Sequence, residues 1–388
     1  MSAAQSRRLL ALDLPPGEAF IDALDAAWQA GDAVLPLGPD TAASRRIVAA
    51  MRPHAIVTAD GETEYGDPAP VDDVVALVIA TSGSTGEPKG AQLSHAALTA
   101  SAAATASRIG QSSGDHWLSC LPWQHIGGLQ VLLRARRGGT QLTVLPRFEP
   151  NAVDAAVRAG ANLTSLVPTT LLRLLDANVD LRPLKAILLG AAAAPPSLLQ
   201  AAGDAGANVV TTYGMSETCG GCVYDGWPLD GVLVRIADDG RIEVAGPTLM
   251  ESYRLRPDLS PLTGDGWLRT NDVGSIDGSG RLTVLGRADD VIVTGGEKVA
   301  ADRVAGLVAG HPAVRDAAVI GVPDSEWGQR VVAVVELAGD EPLTLETLRD
   351  WLGDALPGWS KPRALVVVSE LPRLPSGKLD RRALEREV

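Results

Sequence analysis

The stretch Thr81-Ser82-Gly83-Ser84-Thr85-Gly86-Glu87-Pro88-Lys89-Gly90 lies between an apolar run over 74–80 and a helical pattern that opens at Ser94. Glycines let backbone N–H groups come close to an anion, and Ser and Thr hydroxyls add further donors. Lys89 contributes a positive charge. Together these groups can hold a polyphosphate. The spacing is not that of a Walker A loop, which runs G-x-x-x-x-G-K-[ST]; here Pro88 separates Glu87 from Lys89, and Gly90 follows the lysine. A Ser/Gly surface linker is the alternative, and the strand and helix patterns directly on either side speak against it.

From residue 74 to 213, short β-branched runs alternate with Ala/Leu-rich helical stretches. The pattern predicts strands at 74–80, 117–121, 142–145, 163–167, 184–189 and 209–213. It predicts helices at 94–109 with Ser94 as N-cap, 128–136, 150–158 with Pro150 at its start, 169–175 and 196–202. Repeated β–α units of this length mean a mostly parallel sheet covered on both faces. Beyond Tyr213 the texture changes to Asp-Gly pairs, as at 225, 230, 239, 265 and 277, with short alternating strands such as 241–245 and 281–285. That is hairpin-rich β structure. From about residue 289 a compact α+β module follows: strands at 291–294, 316–322, 331–337 and 364–368, and helices at 302–309 and 345–356. The expected architecture is therefore α/β. A large N-terminal domain over 1–287 combines parallel-sheet α/β layers with a small β subdomain. A small mobile α+β C-terminal domain over 288–388 is joined to it by a short hinge.

The 388 residues carry a net charge of -13, which argues against nucleic acid or an anionic membrane surface as partner. No run approaches the roughly 18 apolar residues of a membrane span, and residues 1–14 lack the apolar core of a signal peptide. A cytoplasmic protein is expected; a homo-oligomer is left open. Cys120, Cys219 and Cys222 do not make a disulfide framework. Cys219-Gly-Gly-Cys222 has the spacing of half a zinc site, but no second pair of ligands accompanies it, so a structural role is expected.

Several other constellations follow predicted strands. Tyr213-Gly214-Met215-Ser216-Glu217 places an aromatic face before a carboxylate, at the sheet edge where α/β proteins bind ligands. A carboxylate there can recruit Mg²⁺, which bridges phosphates. Gly190-Ala191 opens a run of small residues that permits close ligand approach, and Pro122-Trp-Gln-His125-Ile-Gly-Gly128 stands between a strand and a helix. In Gly266-Trp-Leu-Arg-Thr-Asn-Asp272-Val-Gly274 the carboxylate can accept both hydroxyls of a ribose. Gly286-Arg287-Ala-Asp289-Asp290, Gly295-Gly296-Glu297-Lys298 and Pro375-Ser-Gly-Lys378 complete the series.

In order and spacing these motifs, spread over roughly 75–385, resemble those of the adenylate-forming superfamily of acyl-CoA synthetases, peptide-synthetase adenylation domains and luciferases. The resemblance implies ATP, Mg²⁺ and CoA as cofactor and co-substrates, and a small carboxylic acid as substrate. It implies that Thr81, Ser82, Gly83, Ser84, Thr85, Gly86 and Lys89 hold the phosphates. Gly190, Ala191, Tyr213, Gly214, Met215 and Ser216 would line the adenine, with Tyr213 stacked on it. Glu217 would contact Mg²⁺, Asp272 the ribose, and Arg287 the ribose or phosphate. His125 would lie at the acyl pocket and gate it. Asp289 would be the hinge, and Gly295, Gly296, Glu297 and Lys298 would enter the site for thioester formation. Lys378 would approach the carboxylate and α-phosphate during adenylation.

Narrower similarity, in the run from Tyr213 to Gly231, in 118–130, in Trp327-Gly-Gln-Arg330 and in the short part before the phosphate loop, is to the o-succinylbenzoate–CoA ligases of menaquinone biosynthesis. The substrate's second carboxylate would then need an anchor, for which Gln124 and His125 are candidates. Another aryl- or acyl-CoA ligase and a freestanding enzyme loading a carrier protein are the alternatives. A catalytically inactive scaffold homologue is disfavoured by the intact Lys89, Glu217 and Lys378.

Overall fold

The computed structural model describes residues 7–39, 41–82, 87–339, 341–373, 379–384 and 386–388. It comprises two compact units. The first takes in the chain up to Ala192 together with 202–234 and 244–269; the second takes in 193–201, 235–243 and everything from Thr270 onward.

Two seven-stranded sheets build the first unit, where the β–α alternation alone suggests one. In the first sheet the order is Ser252–Tyr253, Pro88–Ser94, Val75–Ser82, Ala33–Pro36, Leu9–Leu12, Ala55–Thr58 and Gly61–Glu64. In the second it is Trp227–Pro228, Gly220–Tyr224, Val209–Met215, Ala186–Leu189, Leu163–Leu166, His116–Ser119 and Gln141–Val144. The middle of each sheet is parallel, and antiparallel pairs lie toward the edges. Leu9–Leu12, Ala33–Pro36, Leu163–Leu166 and Ala186–Leu189 are buried along their whole length. That is the mark of strands covered on both faces.

Helix starts follow the sequence closely. Ser94 caps His95–Arg108 by accepting from the Ala97 N–H at 3.2 Å, and Pro150 opens Pro150–Arg158 at a position whose N–H has no helical partner. Ile126–Gly138 starts two residues earlier than the pattern predicts and presents Leu129, Leu132 and Leu133 to a core shared with Phe20, Leu77, Leu98 and Trp123.

In the second unit, Leu282–Arg287 pairs antiparallel with the strand that ends at Ile276. A five-stranded sheet, Glu297–Ala300, Val291–Thr294, Gly328–Leu337 and Val314–Asp324 with Ala364–Val368 added parallel to Gly328–Leu337, forms the α+β module. Its alternation is legible in the burial. Val331, Ala333 and Val335 face the helices Ala301–Val308 and Leu345–Leu352, while Val332 and Val334 face Leu371 and Leu384. Among the described residues no helix is long and apolar enough to cross a membrane.

Candidate active site

The phosphate-loop candidate is the connection of a hairpin. Val75–Ser82 pairs antiparallel with Pro88–Ser94 in a register that sets Thr81 opposite Lys89 and Ser82 opposite Pro88. Sequence reasoning missed the second strand because Pro88 and Gly90 read as breakers. Pro88, however, occupies the first strand residue, where proline is tolerated. Gly90 is there for space: a Cβ would fall 2.4 Å from Met51 Sδ and 2.8 Å from Val78 Cγ1. The Thr81 hydroxyl donates to the Lys89 carbonyl at 3.4 Å. Gly83, Ser84, Thr85, Gly86 and the Ser82 side chain lie outside the described residues.

Tyr213 and Gly214 sit in Val209–Met215, whose pairing with Gly220–Tyr224 shifts register between these two residues. The chain then makes a short 3-10 turn, Ser216–Thr218, which carries Glu217. Four hydrogen bonds hold that turn and the residue after it. Thr218 Oγ1 accepts from the Met215 N–H at 2.9 Å, and the Met250 N–H donates to the Glu217 carbonyl at 2.9 Å. Cys219, in the left-handed region at φ 54°, has its carbonyl held by the Ser101 hydroxyl at 3.1 Å and by Gln130 Nε2 at 2.9 Å.

Tyr253 joins this site without belonging to any motif in the sequence. Its hydroxyl donates to Glu217 Oε1 at 2.5 Å, and Lys89 Nζ lies 5.4 Å from the centre of its ring. Burial first, then the Glu217 charge, push the phenol well above its ordinary pKa, so it stays a donor. The next residue, Arg254, is 1% exposed and spends its guanidinium on carbonyls of Met51, Arg52, Ala69 and Pro70 at 2.6–3.2 Å. Nothing in the local sequence marks either residue, since the strand that carries Tyr253, Ser252–Tyr253, has only two residues.

Gly190 ends the strand Ala186–Leu189, where a Cβ would lie 2.3 Å from Thr212 Oγ1; Ala191 follows with φ 68°. The small-residue turn thus lies against the strand that leads into Tyr213. His125 is exposed as the N-cap residue of Ile126–Gly138, near the buried Trp123, whose indole donates to Ser119 Oγ at 2.8 Å. Cys219 and Cys222 are free thiols with 0% exposure, packed as core residues.

In the second unit, Asp272 stands directly opposite Arg287 across an antiparallel pair. The guanidinium lies 3.8 Å from Asp272 and 3.5 Å from Asp289, and Asn271 Nδ2 also donates to Asp289. Asp289 is the middle residue of the 3-10 turn Ala288–Asp290. Gly295 and Gly296, with φ 59° and 84°, form the two-residue turn between Val291–Thr294 and Glu297–Ala300; positive φ at both positions suits a hairpin of this kind. A Cβ on Gly295 would fall 2.9 Å from the Trp327 ring, which in turn stacks on Arg363 at 3.8 Å. Glu297 and Lys298 are exposed. Lys378 lies outside the described residues.

Comparison with known proteins identifies the family. The model of the AMP-binding enzyme family matches residues 30–254, and that of the AMP-binding enzyme C-terminal domain matches residues 304–378. A probable 2-succinylbenzoate–CoA ligase of Mycobacterium tuberculosis is 46% identical over 328 residues, covering 81% of this chain and 85% of that one. The 2-succinylbenzoate–CoA ligase of Bacillus cytotoxicus is 35% identical over 335 residues, covering 80% and 69%. Among solved structures, the Bacillus subtilis o-succinylbenzoate CoA synthetase (MenE) in complex with the acyl-adenylate intermediate OSB-AMP superposes with a TM-score of 0.87 at 28% identity, over 98% of this chain and 89% of that one. ATP-bound MatB from Rhodopseudomonas palustris shares the fold, with a TM-score of 0.87 at 24% identity over 99% and 89%. The chain belongs to the AMP-binding, adenylate-forming enzyme family, and within it to the branch of the 2-succinylbenzoate–CoA ligases.

Proposed function

We propose that this protein is an AMP-forming acid–CoA ligase that converts 2-succinylbenzoate to 2-succinylbenzoyl-CoA in two steps on one site. The observation that carries the reading is the clustering of Lys89, Tyr253 and Glu217: a cation and a carboxylate meet at one aromatic side chain. A phosphate chain needs both, the cation for its oxygens and the carboxylate for its metal. The curated relatives and the OSB-AMP complex of MenE support the choice of acid.

In the first step a substrate carboxylate oxygen attacks the α-phosphorus of ATP, the bond to the bridging oxygen breaks, and pyrophosphate leaves. Tyr213 would offer its ring to adenine, with the Gly190–Ala191 turn admitting the base closely. The pair of Asp272 and Arg287 would take the ribose. Lys89 and Lys378 would offset the charge that gathers on the phosphates and the attacking carboxylate. A single carboxylate such as Glu217 suits Mg²⁺, which binds through one or two carboxylates and otherwise through phosphate oxygens and water. When bound, the ion neutralises phosphate charge.

In the second step the CoA thiol attacks the acyl carbonyl, a tetrahedral centre collapses, and AMP leaves with the electron pair of the broken acyl–oxygen bond. Lys378 must give way to the turn at 295–298. We assign that exchange to rotation about Asp289, with a C-terminal domain over 288–388 moving against 1–287. His125 and Gln124 would face the acyl group. The reaction is expected in the cytoplasm, where ATP and CoA are available.

The test is pyrophosphate release with ATP and Mg²⁺ across o-succinylbenzoate, benzoate, succinate and a medium-chain fatty acid, with and without CoA. Turnover confined to o-succinylbenzoate and dependent on CoA is the expected result. Turnover with another acid would overturn the substrate, and indifference to free CoA would point to a carrier-protein partner.

A further inference from the structure

Glu217 is held from two directions by one short segment. The Met250 N–H donates to its backbone carbonyl at 2.9 Å, and the Tyr253 hydroxyl donates to its Oε1 at 2.5 Å. That segment is in turn fixed to the hairpin strand that follows the phosphate loop. Glu251 N–H donates to the Gln92 carbonyl at 2.9 Å, Gln92 Nε2 to Ser252 Oγ at 2.8 Å, and Arg254 N–H to the Gly90 carbonyl at 2.8 Å. Tyr253 is thereby set in register with Ala91, two residues beyond Lys89. The guanidinium of Arg254, bonded to four backbone carbonyls, anchors the far end.

We propose that Tyr253 is a positioning residue that orients the Glu217 carboxylate for the metal of the metal–ATP complex and couples it to Lys89. A carboxylate on a free side chain can rotate and can offer either oxygen. The hydrogen bond from the phenol to Oε1 restrains that rotation and leaves Oε2 and the second lone pair of Oε1 open to an ion. Hydrogen-bonded partners of this kind typically change metal affinity by about 10–100-fold when removed. The ring acts separately from the hydroxyl. Lys89 lies against it, so the cation that would meet phosphate and the carboxylate that would meet metal are held in step by one side chain. This inference rests on the reading of Glu217 as the metal-binding carboxylate.

The experiment measures Mn²⁺ binding to the protein–ATP complex by electron paramagnetic resonance of the free ion, together with calorimetric binding of ATP without metal. It compares the natural protein with Tyr253→Phe, Tyr253→Leu, Glu217→Gln and the double variant Tyr253→Phe/Glu217→Gln. Phe keeps the ring and loses only the hydroxyl, so Tyr253→Phe should weaken Mn²⁺ about tenfold and leave metal-free ATP binding unchanged. Tyr253→Leu should weaken metal-free ATP binding as well. In the Glu217→Gln background the loss of the hydroxyl should add less than about twofold, because the two groups act as one unit. Weaker Mn²⁺ binding in Glu217→Gln with Tyr253→Phe unchanged would overturn the positioning role and leave the metal role of Glu217 standing. Additive losses in the double variant would also overturn it. Unchanged Mn²⁺ binding in Glu217→Gln would overturn the metal reading itself and the inference with it.

Discussion

Gly214 lies so close to Gly220 that a methyl group on Gly214 would sit 2.0 Å from the Gly220 carbonyl oxygen and 2.7 Å from Gly221 Cα. Both obstacles are backbone, so no side chain can swing aside. Gly214→Ala should therefore push apart the two strands that flank the Ser216–Thr218 turn, moving Tyr213 and Glu217 together. Overpacking of this type costs about 1–3 kcal/mol, and rigid neighbours put this case at the upper end. Urea unfolding should show that loss, and calorimetry a matching fall in ATP affinity. Gly278→Ala, where a Cβ meets nothing within 4 Å, is the control and should change neither.

The role proposed for Lys378 distinguishes the two half-reactions. Lys378→Ala should lower pyrophosphate release by about 10²–10³-fold, the usual cost of removing a group that stabilises developing charge. Thioester formation from supplied acyl-AMP should be retained, since the proposed role of the lysine ends once pyrophosphate has left. Stopped-flow measurement of each half-reaction decides it. Equal loss in both would remove the lysine from the adenylation step.

What can be read from the sequence depends on how local the determinant is. The Tyr213–Glu217 motif, the Ser94 cap and the Gly295–Gly296 turn each encode their geometry within a few neighbouring residues. The strand Pro88–Ser94 is hidden because Pro88 and Gly90 carry the signature of a turn, while sheet pairing and a lack of space at Gly90 outweigh it. Alternation of strand and helix reveals parallel units but not which sheet each strand joins, so two sheets read as one. Tyr253 and Arg254 escape for a further reason. Their partners, Glu217 and the carbonyls of residues 51, 52, 69 and 70, lie 36 to 203 positions away in the chain.

Asp289 tests the two-position model. It accepts from Asn271 and pairs with Arg287 while sitting in the Ala288–Asp290 turn. Proline locks φ near about -65°, so Asp289→Pro should freeze the backbone torsion that rotation requires. Adenylation should continue and CoA-dependent product release should fall. A thioester rate equal to that of the natural protein would place the hinge elsewhere.

The cysteines give a prediction with a pH sign. Burial raises the Cys120 thiol from 9.0 to about 11, against a smaller opposing effect of the Thr164 hydroxyl. Burial raises Cys222 to about 12. Cys219 also moves upward, through burial first and then through the charge of Glu251. A folded-state pKa above the unfolded value means that the protonated thiol is favoured in the fold. Its contribution to stability is complete below about pH 9 and is lost as pH rises toward about 11 and 12. Unfolding midpoints should thus fall with pH above about 9, and Cys120→Ala should reduce that slope. At about pH 8 a thiol reagent should find no reactive cysteine in the native protein and all three after denaturation. Cys219→Ser with Cys222→Ser should lower stability, because two hydroxyls would enter an apolar core, yet keep both half-reactions. Rapid labelling of the native protein, or loss of activity together with a bound metal, would show that the C-x-x-C pair has chemistry of its own.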